Sequence, residues 1–279
     1  MLKKFQTVAL TGCSDSIPRN QKKSVVSLIG ELNSMGLTVK VYNSVFTDSE
    51  GKNSAPEKRA RDLTQAFMDE GIDAIFDITG GDSANAILPY LDFEQLKSFK
   101  KPFYAYSDNS VLLNPLKERS GIPVYYYQIK FISENKVNRC RFDNLIHNGG
   151  ELCDFNYTML QCNHLEGNGI AGGNVRCTLK LFGTPYQPSF RDKVLFLESL
   201  GGSLERMETS LYQYKMSGAF DDCSSVLLGN FTEIAREGRT KELYDMALRI
   251  IGNPDIPVAC TTEIGHQSDS KCLDYQMSF

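Results

Sequence analysis

The chain is poor in the residues and patterns that mark several common classes of protein. Only 3 of its 279 residues are histidine, and none of them forms an HxxEH or HxxxH pair that would place two imidazoles on one helix face. A metal site is therefore disfavoured, and we expect neither a metal nor another cofactor. The 8 cysteines are scattered without a CxxC pair or a regular framework, which predicts free thiols in a reducing compartment.

Excess positive charge and long apolar runs are lacking as well. Lysine and arginine number 30 against 34 acidic residues and are dispersed along the chain, so nucleic acid and anionic membranes are not expected partners. The apolar segment Val8–Leu10 is far too short for the core of a signal peptide, which needs ~7–15 residues. No run approaches the ~18 apolar residues of a membrane span. These absences predict a cytoplasmic protein.

What the chain does contain is an alternation of strand-like and helix-like segments. Short strands with amphipathic helical patterns between them are predicted at Thr7–Thr11, Leu37–Tyr42, Ala74–Ile78, Phe103–Tyr106 and Ile122–Ile129. This alternation is typical of an α/β fold with a mostly parallel sheet and helices on both faces, in which ligands bind at the carboxyl ends of the strands.

Two domains are predicted, because a turn-rich stretch without a long apolar run separates this series from a second one. We divide the chain into an N-terminal α/β domain over 1–145, a linker over 146–165 and a C-terminal domain over 166–279. The C-terminal domain is expected to be smaller, again α/β, and rich in strands.

One serine lies where a predicted strand meets a helix. The aromatic run 103–106 ends on Ser107, from which a sharp turn would push the side chain out of the sheet and towards helix-opening amides that can stabilise an oxyanion. The glycines that usually flank such a serine are replaced by Ala105 and Asn109, so the local pattern also fits an ordinary helix N-cap. The preceding strand ends on Gly80-Gly81, whose backbone could approach a ligand, and both loops should open on the same sheet edge.

Partners for such a nucleophile are few. His266 follows the last predicted strand, whereas His147 and His164 lie in the polar linker, where a solvated histidine is the simpler interpretation. Glu198 ends an apolar strand, where its carboxylate could be partly buried and held. Ser107, His266 and Glu198 could therefore supply the nucleophile, the base and the acid of one catalytic set. Glu198 also fits an ordinary strand-end acid in water.

Five blocks of the sequence together resemble the serine LD-carboxypeptidase family, which includes murein tetrapeptide carboxypeptidases and microcin C self-immunity peptidases. In chain order the blocks are TGGDSANAILPYLDFEQL (79–96), KPFYAYSDNSVLL (101–113), AGGNVRCTLKLFGTPYQP (171–188), VLFLESLG (194–201) and TEIGHQSD (262–269). The resemblance implies a two-domain α/β enzyme, frequently a homodimer, that removes a terminal residue across an L,D bond in the cytoplasm without a metal.

The resemblance also implies roles for individual residues, with Ser107 as nucleophile and Glu198 and His266 as its partners. In the mechanism that we expect, the backbone amides of Gly81 and Asp108 receive the oxyanion. The chain departs from the family in two respects. Ala105 stands where glycine is usual, and only residues 267–279 follow His266, where the family commonly continues through a further strand.

Three functions remain open on these observations. A murein tetrapeptide carboxypeptidase must hold a small peptide with a free terminal carboxylate, for which Arg176 is a candidate. A self-immunity-type hydrolase of acyl-aminoacyl adenylates needs an aromatic platform, for which Tyr186 or Tyr212 could serve. The third possibility is a non-catalytic ligand-binding module on the same two-domain scaffold, against which stands the presence of all three triad residue types.

Overall fold

Two mixed sheets form the frame of the protein in the computed structural model, which describes residues 5–279. Parallel strands from the N-terminal half make most of the first sheet: β1 (Thr7–Thr11), β2 (Thr38–Val41), β3 (Ala74–Asp77), β4 (Phe103–Ala105) and β5 (Val124–Tyr126). In space their order is β5-β4-β3-β1-β2. Every residue of β3 and β4 is buried, as expected for central strands covered on both faces.

Helices connect these strands and cover the first sheet. They are α1 (Lys22–Ser34), α2 (Pro56–Met68), α3 (Phe93–Leu96), α4 (Ser110–Ser120) and α5 (Lys136–Asn148). Short 3-10 turns over Arg19–Gln21, Asn43–Val45, Ala84–Tyr90, Ser107–Asn109 and Ile129–Ser133 complete the connections. The boundaries follow local chemistry: Pro56 occupies the first turn of α2, where a missing amide costs nothing, and Gly121 ends α4 in a left-handed conformation.

The second sheet contains β6 (Thr158–Gln161), β7 (Ile170–Asn174), β8 (Val194–Ser199), β9 (Ser225–Phe231) and β10 (Val258–Cys260), in the order β6-β10-β9-β8-β7. The strands β7 to β10 are parallel, and β6 pairs antiparallel at the edge. The associated helices are α6 (Val175–Leu179), α7 (Leu204–Met216), α8 (Ala219–Asp222), α9 (Thr232–Arg236) and α10 (Thr240–Ile251).

The two sheets exchange chain segments near their boundary. The predicted linker, 146–165, contains the edge strand β6, which belongs to the second sheet. After His266 a further short strand, β11 (Leu273–Asp274), returns to the first sheet and pairs antiparallel with β5. None of the helices in the described residues is long and apolar enough to cross a membrane.

A close backbone approach holds α4 against the second sheet. The Asn114 side chain donates to the Gly172 carbonyl at 2.8 Å and accepts from the Gly172 amide at 2.9 Å, while the Tyr275 hydroxyl donates to the same carbonyl at 3.0 Å. Gly172 has a φ of 110°, and a Cβ there would overlap the carbonyl oxygen of Phe196. Glycine is therefore required at this junction between the two halves.

We expect Gly172→Ala to lower the free energy of unfolding by about 2–5 kcal/mol, because it adds a left-handed alanine and an overpacked contact. Denaturant unfolding measures this loss. Gly30→Ala is the matched control, since Gly30 lies on α1 with open space around it. That substitution should raise stability by about 0.5–1 kcal/mol through helix propensity. Equal effects at the two positions would contradict the prediction.

Candidate active site

The backbone at Ser107 adopts a conformation that residues other than glycine seldom adopt. Ser107 has a φ of 57° and opens the 3-10 turn that leads straight into α4. Such a left-handed residue costs roughly 1–2 kcal/mol and is typical of a nucleophile on a sharp turn between strand and helix. The Ser107 amide donates to the Tyr126 hydroxyl at 3.0 Å, and the Ser110 hydroxyl donates to the Ser107 carbonyl at 2.7 Å.

The structure brings Ser107, His266 and Glu198 into direct contact. The Nε2 atom of His266 lies 3.0 Å from the Ser107 Oγ, and its Nδ1 lies 2.7 Å from Oε2 of Glu198. The His266 side chain is only 4% exposed, and that of Glu198 is 0% exposed. With the ring proton on Nδ1 donated to the carboxylate, Nε2 is left to accept the proton of the serine hydroxyl.

The second oxygen of Glu198 is held by two neutral donors. Oε1 accepts from the Tyr126 hydroxyl at 2.6 Å and from the Asn174 side-chain amide at 2.9 Å. Burial, together with the charge of Glu198, raises the pKa of Tyr126 well above its usual range, so the phenol remains a donor. A buried carboxylate is tolerated only when its oxygens are hydrogen-bonded in this way.

Asp108, the residue after the serine, is fixed from three directions. Its buried carboxylate accepts from the Ser14 hydroxyl at 2.6 Å, from the Ala84 amide at 2.8 Å and from the Lys180 ammonium at 2.5 Å. Burial alone would lower the pKa of Lys180, but its bond to Asp108 raises that pKa, so the ammonium keeps its charge. These contacts fix the position of the Asp108 backbone amide. That amide lies in the first turn of a helical segment, where backbone amides have no acceptor within the helix.

The loop after β3 lies beside the serine, as the parallel order of β3 and β4 requires, and this confirms the expected common edge. Gly81 has a φ of 139°, and a Cβ there would overlap the Asp15 carboxylate. Asp15 accepts from the Asp82 amide at 3.2 Å and so holds the loop. Gly81 is thus the residue type that this close approach demands.

Ser107 lines an open cavity of about 460 Å³ that carries charges of both signs. Arg176 lies there but is ion-paired with Asp82. Burial favours a higher pKa for the Asp82 carboxyl, but the nearby cations Arg176 and Lys180 outweigh it and hold that pKa below its usual range. Arg206 also lines the cavity, and within residues 5–279 its guanidinium has no carboxylate partner. Among the described residues, the cavity therefore contains one arginine without an ion-pair partner, and the acid Glu233 lines the same cavity.

Several candidates from the sequence lie elsewhere. Tyr186 packs against Arg119, whose guanidinium carbon is 5.1 Å from its ring centre, and Tyr212 is exposed on α7; neither lines the cavity. His147 forms a contact with Asp143 on α5, away from the serine. Within the part of the chain that the structure describes, no group of three or more possible metal ligands occurs.

Sequence reasoning missed Tyr126, Asn174 and Lys180, which hold the serine, glutamate and aspartate in place. Tyr126 and Asn174 come from strands and Lys180 directly follows α6, and the pattern of these segments indicates packing and gives no sign of the partner. Only Asn174, which directly follows a glycine pair at the end of β7, carried a positional signal that could have drawn attention to it.

Two family descriptions match the chain, the LD-carboxypeptidase N-terminal domain over residues 8–127 and the LD-carboxypeptidase C-terminal domain over residues 167–278. The chain belongs to the LD-carboxypeptidase family. This confirms the resemblance that the five sequence blocks carry. The particular roles of Ser107, Glu198, His266, Gly81 and Asp108 in this chain remain a prediction, as do the domain limits at 145 and 166.

Individual relatives agree with the family assignment. YocD of Bacillus subtilis is 24% identical over 298 residues, covering 96% of this chain and 90% of YocD. The murein tetrapeptide carboxypeptidase of Pseudomonas aeruginosa is 26% identical over 239 residues, covering 78% of this chain and 75% of its own length.

Two solved structures share the architecture of this chain. The self-immunity protein MccF in complex with glutamyl sulfamoyl guanosine has a TM-score of 0.84 at 17% identity, covering 99% of this chain and 92% of that one. The muramoyltetrapeptide carboxypeptidase from Oxalobacter formigenes has a TM-score of 0.80 at 21% identity, covering 97% and 93%. These likenesses confirm the two-domain α/β fold.

The left-handed backbone of Ser107 predicts a stability difference between two variants that both lack the hydroxyl. Ser107→Gly should be more stable to denaturant unfolding than Ser107→Ala by about 1 kcal/mol, because glycine accepts a positive φ without steric cost. At the helical residue Ser34 the order should reverse, with alanine more stable than glycine. Ser107→Ala matching or exceeding Ser107→Gly would contradict the prediction.

Proposed function

We propose that this LD-carboxypeptidase is a metal-independent serine peptidase that cleaves the L,D amide bond of murein tetrapeptide and releases the terminal D-amino acid. The observation that carries the proposal is the chain of contacts from Ser107 through His266 to Glu198, at 3.0 and 2.7 Å, beside an open cavity. A strained serine, a base within hydrogen-bond reach and a buried acid that orients the base are what nucleophilic acyl transfer needs.

In the proposed mechanism, Nε2 of His266 removes the hydroxyl proton as Ser107 Oγ attacks the scissile carbonyl carbon. The carbonyl π electrons move to oxygen, and the oxyanion is received by the amides of Gly81 and Asp108. The imidazolium then protonates the leaving amine, the C–N bond breaks, and an acyl-enzyme remains. Water, deprotonated by His266, hydrolyses this ester and regenerates the serine.

The lining of the cavity favours a peptide over a nucleotide derivative. None of the described residues that line it is aromatic, whereas a nucleobase calls for an aromatic platform. The lining instead offers cations, Arg176 and Arg206, beside the acids Asp82 and Glu233. This mixture suits the free carboxylate and the zwitterionic diamino acid of a murein tetrapeptide.

A second candidate is hydrolysis of acyl-aminoacyl adenylates. It is supported by the likeness to MccF, whose structure is described as a complex with glutamyl sulfamoyl guanosine. Because this likeness stands at 17% identity and the aromatic platform is missing from the lining, we rank the peptide substrate first.

We further propose that the enzyme is cytoplasmic and that it forms a homodimer. Within the described residues no cysteine forms a disulfide, which supports a reducing compartment. The homodimer is supported by the family resemblance, and analytical ultracentrifugation of the purified protein tests it.

Activity on murein tetrapeptide and on an acyl-aspartyl adenylate, measured side by side with mass detection, tests the proposed reaction. We expect release of the D-amino acid from the tetrapeptide, unaffected by a chelator. Ser107→Ala should lower kcat/KM by roughly 10⁴–10⁶-fold, because the nucleophile is lost. Ser34→Ala on the exposed end of α1 is the control and should leave the rate unchanged.

A fluorophosphonate probe separates the enzyme from a binding module. It should label Ser107 in the folded protein and fail to label Ser107→Ala. Near-normal hydrolysis by Ser107→Ala, or folded wild-type protein that takes up no label, would overturn the assignment.

The unpaired cation in the cavity predicts how the substrate carboxylate is held. Arg206→Gln should raise KM for the tetrapeptide by roughly 10–100-fold with little change in kcat, since a charge-assisted bond to the carboxylate is lost. Arg176→Gln should have a smaller effect, because Arg176 already neutralises Asp82. A tetrapeptide amide, which lacks the carboxylate, should not distinguish Arg206→Gln from wild type. An unchanged KM for the free acid would contradict this assignment.

A further inference from the structure

One hydroxyl joins the backbone of the serine to the acid of the site. Tyr126 Oη accepts from the Ser107 amide at 3.0 Å and donates to Oε1 of Glu198 at 2.6 Å. The ring is buried, with Phe196 of the second sheet packed edge-on at 5.3 Å between centres. We propose that Tyr126 is a positioning residue that sets both the orientation of the nucleophile and the basicity of the Glu198–His266 pair. The inference rests on the proposed function.

On the serine side, the hydroxyl decides which amides are available to an oxyanion. The Ser107 amide is already donated to Tyr126, so it is withheld from the substrate. This contact also gives the left-handed residue, at a φ of 57°, a fixed hydrogen-bond partner. The next amide along the turn, that of Asp108, is then the one that the proposed mechanism assigns to the oxyanion.

On the acid side, the hydroxyl shares the negative charge of the carboxylate. Oε1 of Glu198 is held by Tyr126 and Asn174, while Oε2 faces the imidazole of His266. A strong donor at Oε1 draws electron density away from Oε2 and so moderates the stabilisation of the imidazolium. Without that donor, His266 should hold its proton more tightly. A smaller fraction of the imidazole would then be neutral and able to accept the serine proton near neutral pH.

Other ionisable groups face this pair, but they remain neutral. The Tyr106 ring lies 5.0 Å from that of His266, and burial raises the pKa of Tyr106 to about 12. Burial, followed by the charge of Glu198, raises the pKa of Tyr275 well above its usual range. Within the described residues, no salt bridge other than the one with His266 reaches Glu198. The pH response of the pair therefore reports on the hydrogen bonds at Glu198.

The chain provides matched controls in the run Tyr125-Tyr126-Tyr127. Tyr127 is equally buried, but its hydroxyl has no hydrogen-bond partner in the structure. The Tyr125 ring stacks on Tyr104 at 4.5 Å, away from Glu198. Tyr127→Phe therefore removes the same atom from the next residue without breaking a bond in the site.

The test compares wild type, Tyr126→Phe and Tyr127→Phe by pH profiles of kcat/KM on the tetrapeptide. It adds an NMR titration of the labelled imidazoles, which is tractable because the chain has 3 histidines. For Tyr126→Phe we expect kcat to fall roughly 10–100-fold with KM within about threefold of wild type, since a hydrogen bond to a charged group is lost. The acid limb of the profile and the His266 titration midpoint should both move to higher pH. The profile and the midpoint of Tyr127→Phe should match those of wild type.

The titration needs no turnover, so failure of the proposed function and failure of this inference are distinguishable. A raised His266 midpoint without tetrapeptide hydrolysis supports the role of Tyr126 and rejects the substrate. Hydrolysis with an unmoved midpoint in folded Tyr126→Phe overturns the role of Tyr126. Should Tyr126→Phe not fold, 3-fluorotyrosine at position 126 keeps both bonds but donates more strongly, and it should move the midpoint to lower pH; no movement overturns the inference.

Discussion

A carboxylate buried between two sheets is the constraint on which this site depends. Glu198 has no exposed surface, so its charge must be balanced by hydrogen bonds within the protein. The three donors come from different places: Tyr126 from β5 of the first sheet, Asn174 from β7 of the second, and His266 from the loop after β10. Only when the two sheets pack together does the carboxylate have all of its partners. The same packing aligns the imidazole with the serine.

Other buried polar contacts cross the boundary and keep the two halves in register. Lys180 of the second half holds Asp108 beside the serine, and Asn114 of α4 clasps the backbone of Gly172 in β7. Lys117 of α4 donates to the carbonyls of Ile170 and Tyr275, and burial lowers the pKa of Lys117 to about 8. Helix α4, which begins at the strained serine turn, is thus a shared element of both halves. A shift of the sheets would disturb the site directly.

Much of the strand pattern was predictable from the sequence, whereas two short strands near the junction of the two sheets were not. The strands over 74–77 and 194–199 are fully buried, and each begins with an apolar run, at 74–76 and 194–197, as expected for strands covered on both faces. The edge strand β6 is half-exposed and carries no such pattern, so the sequence there predicts a linker. The two-residue strand β11 is too short for any periodicity, and only its pairing with β5 defines it.

By itself the sequence determined the α/β class, the family and the three residue types of the candidate triad, since these reside in runs and blocks that are local in the chain. The tertiary structure alone decided what surrounds them: the left-handed φ of Ser107, the sharing of one Tyr126 hydroxyl between Ser107 and Glu198, and the neutralisation of Arg176 by Asp82. The reason is physical. The shared hydroxyl and the ion pair join residues far apart in the chain, and such contacts depend on distances that only the packed sheets define.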